Sequence, residues 1–238
     1  MNTDGIIGSR SGVRPTNLFS TDPAILGAEH PRAAEMRRWI REHLCRTHRD
    51  LGRPGPVCPY IGRTIAQQNL WVSFVEGRHI SPQAIAAIVD DLNDLFPVMP
   101  PLREPDNKHK AILAIFPDLT EYADLDAVQD EQKTRFVDKG LMLGQFYPGC
   151  TAAGLHNPRF PALDAPLPSL AVRNMVPTDF PFLDSRHEWI DTYLGLFAPT
   201  IPGFISSSIA AKLVETPATR NSSALRGLGG SDSRANDK

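Results

Sequence analysis

Cys58 stands in Pro56-Val57-Cys58-Pro59-Tyr60, where the following proline stiffens the backbone and removes an amide donor. A thiolate held this way can ligate haem iron or a soft metal. It can also act as a nucleophile if Arg53 and Arg63, close in sequence, lower its pKa. The same residue can equally be a small buried apolar group. His156 lies in Gly154-Leu155-His156-Asn157-Pro158, off any apolar helix face, and there it can serve as a metal ligand or a general base. Arg173 interrupts the apolar run Ala171-Val172-Arg173-Asn174-Met175-Val176. If buried, its guanidinium needs an anion, which Asp179, another carboxylate, or a ligand's carboxylate or propionate can supply. Arg173 can instead face water, with Asp179 capping the segment that leads to the last helix. The catalytic candidates are thus His156, Arg173 and Asp179. The cofactor-binding candidates are Cys58, His156 and Arg173, and the candidate metal ligands are His156 and Cys58. Cys150 and His156 do not have a zinc-site spacing.

The elements that must position these residues follow from periodicity. Residues 1–22 lack it and read as a flexible N-terminal arm. Thr21-Asp22-Pro23 is a helix cap followed by a first-turn proline. Met36, Trp39, Ile40 and Leu44 recur at helical spacing, predicting a helix over 31–51 that carries His43 and His48 on its charged, solvated side. Strands are expected at 70–75, 111–116, 141–146 and 169–176, and helices from Ser81-Pro82 to Phe96, over 124–139 and over 184–197. Asp90, Asp91 and Asp94 read as a solvated helix face. The strand–helix alternation predicts an α+β protein with a single mixed β-sheet, packed helices and a long Pro-rich loop. Parallel pairing comes from helical crossovers, and the last two strands pair antiparallel. That loop, 147–168, carries five prolines. Loops of this length usually have a function. It is expected to fold back over the sheet and bring His156 into one cleft with Cys58 or Arg173. The domain spans 23–205, and 206–238 is expected to be a disordered tail.

Composition narrows the partners. In 238 residues, 41% are hydrophobic and 22% charged, so a sizeable core is available. The net charge of −2 gives no electrostatic footprint for nucleic acid or an anionic membrane. No apolar run approaches the roughly 18 residues of a membrane span. Three cysteines without paired spacing point to a reducing cytoplasm. The expected partners are a small-molecule substrate and, as a homodimer, a second copy of the chain. There is no GxGxxG, GxxxxGK[ST] or GxSxG, so dinucleotide, P-loop and nucleophile-elbow chemistry lose their usual support.

Four segments, Val57-Cys58-Pro59-Tyr60, Gly140–Phe146, Gly154–Pro158 and Ala171–Asp179, together resemble an uncharacterised bacterial family. Its members occur mainly in actinobacterial genomes, often near secondary-metabolite genes. The resemblance covers about residues 50–198 and carries no assigned catalytic residues. In layout alone, the Cys-Pro-aromatic loop ahead of an α+β domain is similar to small haem-dependent enzymes that hydroxylate nitrogen in amino acids. That likeness implies haem. The leading expectation is therefore a haem-binding oxidoreductase of small-molecule, secondary metabolism. In it His156 or Cys58 is the axial ligand and Arg173 pairs with a propionate or a substrate carboxylate. A non-catalytic binding module for a small molecule or a protein partner is the alternative. A cofactor-free hydrolase or transferase with Cys58 as nucleophile and His156 as base is a third.

Overall fold

A computed structural model of the chain describes residues 5–152, 154–203, 205–207 and 209. The chain divides into two compact units, Met1–Ala198 and Pro199–Lys238. In the second unit, residues 203, 205–207 and 209 are helical, and the rest of the expected tail lies outside the described residues. The sheet, its covering helices and all three candidate loops belong to the first unit.

Five strands form one mixed sheet: β1 (Thr16–Asn17), β2 (Leu70–Phe74), β3 (Ala111–Ile115), β4 (Leu141–Phe146) and β5 (Ser169–Asn174). They lie in the order β1-β2-β3-β5-β4. β2 and β3 are parallel, while the β1–β2, β3–β5 and β4–β5 pairs are antiparallel. The helices are α1 (Pro23–Gly27), α2 (Ala33–Trp39), α3 (Ile61–Ala66), α4 (Pro82–Leu95), α5 (Ala123–Val137) and α6 (His187–Phe197). The expected α+β architecture is therefore the observed one.

Each strand's two-residue alternation sorts its side chains onto two faces. On one face, Trp71, Ile112, Ala114, Leu143, Leu170 and Val172 meet the apolar stripes of α4 and α5. Ser81 caps α4 by accepting from the Ala84 amide at 3.2 Å, and Pro82 presets the first turn. On the other face, Leu70, Val72, Leu113 and Ile115 lie under Met36, Ile40, Ile61, Leu18 and Phe19.

Three expectations need correction. The arm is docked over residues 5–20 rather than flexible. Thr16 and Asn17 pair with Val72 and Trp71, and Val13, Leu18 and Phe19 are buried. Asp91 is not a solvated helix-face residue. Its carboxylate is 1% exposed and accepts from the Arg10 amide and from both the amide and the hydroxyl of Ser11. Burial alone raises a carboxyl pKa, but the bonds from Ser11 and Arg10 outweigh it and hold Asp91 below the usual value. Finally, the helix expected over 31–51 stops early. After Trp39 it becomes a π turn over Ile40–Leu44, with Cys45 N donating to Ile40 O at 2.9 Å. The Leu44 and Arg46 carbonyls then turn toward the Cys58 loop and accept from the Cys58 and Val57 amides. A helix that surrenders these carbonyls to another segment cannot continue.

Candidate functional site

The sheet's second face is not fully covered. Beyond Ile40 and Ile61, toward β5 and β4, lies an open cleft of about 370 Å³. Its floor follows from strand register. Met142, Arg173, Ala111 and Leu70 form one cross-strand row, Gly144, Ala171 and Leu113 the next, and Phe146 and Ser169 begin the third. Three small residues, Ala111, Ala171 and Gly144, leave depth that larger side chains would fill. Trp39, Ile40, Cys58 and Ile61 form one wall, while Ala152, Ala162 and Leu163 of the long loop form another.

The long loop is shaped by its anchors. Its ends are joined by the Tyr147–Asp164 bridge and by the Ala165 amide donating to Tyr147 O at 3.3 Å. Tyr147 donates to Asp126 at 2.8 Å and stacks on Tyr122, so burial and Asp126 raise its pKa. Phe160, 2% exposed, sits against the His43 and His48 rings, whose centroids lie 6.2 and 5.0 Å away. His43 is thus half-buried rather than solvated, and burial lowers its pKa.

This anchoring decides the fate of His156. The Asn157 side-chain amide donates to Asp50 O at 2.7 Å. Gly52 has φ +79°, and a Cβ there would lie 2.6 Å from the His156 carbonyl oxygen. The long loop therefore packs against the segment before Cys58, backbone against backbone at Gly52. The His156 side chain is exposed and does not line the cleft. The expectation that His156 shares a cleft with Cys58 or Arg173 is therefore corrected. Near His156 it is Phe160 whose side chain is buried.

Cys58 and Arg173 do come together, both on the cleft lining. The Cys58 loop is held by its amide bond to Leu44 O and by Arg53 donating to Val57 O at 3.0 Å. Arg173 makes a two-pronged pair with Asp179 at 2.6 and 2.7 Å, and Nη1 also donates to Asn174 O at 2.9 Å. Burial works against the guanidinium charge, but Asp179 outweighs it, so the Arg173 pKa stands above its usual value. Asp179 also accepts from the Val176 amide at 2.8 Å. With both oxygens engaged, it orients Arg173 and is not placed as a free base.

Several cleft residues carry no sequence signal. Lys133 of α5 reaches round the β4 edge, donates to Phe182 O at 3.0 Å and lies over the Trp189 ring. Burial lowers its pKa, partly countered by Asp130 and Asp179. Gln129 donates to Leu143 O on the same edge. Ser169 is 1% exposed, and its hydroxyl has no hydrogen-bond partner among the described residues. Gly144, Lys133 and Ser169 look ordinary in one dimension. No group of three or more His, Cys, Asp or Glu among the described residues could hold a metal ion. No described helix is long and apolar enough to cross a membrane.

Fold and site together define an α+β protein with an apolar cleft, a cationic end and one thiol. The chain belongs to the family described as Domain of unknown function (DUF6875), whose model matches residues 33–208. No curated protein and no solved structure matches it.

Proposed function

We propose that the protein binds a small, mainly apolar anion in the Cys58–Arg173 cleft. The observation that carries this reading is the free edge of Arg173. A guanidinium has five N–H donors, and Asp179 and Asn174 engage three of them. Among the described residues the N–H of Nε and the second N–H of Nη2 have no partner, and they are the parallel pair that grips a carboxylate. The side chain is 36% exposed and lines the cleft. Among the described residues Lys133 and Arg173 are the two cations on the lining, and no carboxylate side chain joins them there. The volume lies within the range of ligand cavities, toward its compact end. Binding alone is proposed: among the described residues the lining includes no His, Asp or Glu.

The test is calorimetric titration with decanoate and with its neutral methyl ester. Decanoate is expected to bind about tenfold or more tightly than the ester, the worth of charge-assisted hydrogen bonds. Arg173→Lys keeps a cation for Asp179 but loses the fork, and should erase most of that preference. His156→Ala should leave it unchanged. Equal binding of acid and ester would overturn the reading.

A haem oxidoreductase is the narrower alternative, favoured by the presence of Cys58 on the lining. Cys58 would then be the axial ligand and Arg173 would face a propionate. His156 has no part in this version, and the compact cleft ranks haem behind smaller ligands. Protein expressed with haem precursor would show a Soret band that shifts in Cys58→Ala.

A further inference from the structure

The cleft has a second polar end. Ser169 and Arg173 lie on the same face of β5, because they are four residues apart on a strand whose side chains alternate. Both line the cleft, with Ala171 between them on its floor. The Ser169 hydroxyl is buried and has no partner among the described residues. A buried hydroxyl without a partner is costly, and native structures seldom retain one without a reason. Its neighbours on the cleft face, Phe146 and Ile115 in register, are apolar and cannot satisfy it. The loop residues Ala162 and Leu163 add only apolar side chains to the lining.

From this we infer that the ligand is bifunctional: an elongated apolar chain with an anion at the Arg173 end and a hydroxyl or carbonyl at the Ser169 end. This rests on the reading of the cleft as an anion site and adds the far-end specificity. The separation sets the length. Four residues of extended strand span about 13 Å, and since carbon–carbon bonds of about 1.5 Å at near-tetrahedral angles advance about 1.3 Å each, an extended chain of about ten bonds covers it, the path from carboxyl carbon to hydroxyl oxygen in 10-hydroxydecanoate. Chains much shorter or longer than this should match the two ends less well. Ser169 discriminates by offering a hydrogen bond that a methyl terminus cannot take. A methyl-terminated ligand leaves the hydroxyl as unpaired as it is in the free protein, and so forgoes that gain.

The experiment compares decanoate with 10-hydroxydecanoate by calorimetry, on the full chain and on Ser169→Ala. In the unmodified protein the terminal hydroxyl should raise affinity about three- to tenfold, the worth of one net hydrogen bond. In Ser169→Ala that gain should vanish, so that the two ten-carbon acids bind alike. The hydroxy acids of six and fourteen carbons should show little or no gain over their parent acids. The inference is overturned if both ten-carbon acids bind equally well, or if Ser169→Ala keeps the preference. If neither acid binds, the anion-site reading fails as well. If decanoate binds with the expected dependence on Arg173 but the hydroxyl has no effect, only the far-end assignment fails.

Discussion

Gly144→Val separates stability from binding at one position. Gly144 lies in β4, opposite Ala171, on the cleft floor. Its backbone does not demand glycine, and a Cβ there would meet nothing closer than Phe146 Cε2 at 3.8 Å. A glycine with unstrained backbone and open space above it destabilises a strand, because the unfolded chain has more freedom to lose. Supplying a Cβ should contribute about 0.4–1 kcal/mol, and valine's branching suits the pleated surface. The expected net gain is about 1 kcal/mol, a rise in melting temperature of about 2–4 °C for a unit of this size. The two methyl groups, however, project into the 370 Å³ cleft beside Ala171. Decanoate binding should fall about tenfold or more, since displaced ligand contacts and overpacking each cost about 1–3 kcal/mol. Thermal unfolding and calorimetry on the same preparation read both quantities. A melting temperature lowered by several degrees would show that glycine is needed for the fold. A raised melting temperature with unchanged affinity would show that the ligand lies elsewhere. Either result refutes the reasoning.

Two further outcomes rest on local geometry. Lys110 is 3% exposed and donates to Met99 O and Pro101 O at 2.7 and 3.1 Å, and burial lowers its pKa from 10.5 to about 8. Between these values the unfolded chain holds the proton more firmly, so stability should rise as pH increases from 8 toward 10, by at most about 3 kcal/mol. Lys110→Met should flatten that rise in urea titrations, and an unchanged slope would refute the assignment. Gly52→Ala should destabilise by about 2–3 kcal/mol. The new side chain would strain a left-handed backbone and its Cβ would collide with the His156 carbonyl. Urea unfolding gives the cost, and a loss below about 0.5 kcal/mol would mean that the two loops do not dock there.

The central strands and the long helices were legible in the sequence because each is governed by a local pattern. Continuous apolar runs marked β3 and β4, and Ser81-Pro82 marked the start of α4. The Arg173–Asp179 pair was also legible, since a cation in an apolar strand needs a nearby anion, and a tight turn after β5 returns Asp179 to it. The N-terminal segment was not. It has no periodicity because it is held by the buried Asp91, which lies some 80 residues away in the chain.

The sequence by itself determined where the central strands and the long helices α4, α5 and α6 lie, and that Cys58 and Arg173 carry chemical potential. Alternation and helical period are properties of neighbouring residues, and they survive in one dimension. Only the tertiary structure decided what those side chains face. Register set Gly144, Ala171 and Ala111 side by side and so opened the cleft. It left Ser169 buried without a partner among the described residues in that cleft, and the reach of Lys133 round the sheet edge brought a second cation to the lining. The loop buried Phe160 and left His156 exposed. Burial of the larger apolar group outweighs the placement of a polar one, and that competition is settled only when distant segments meet.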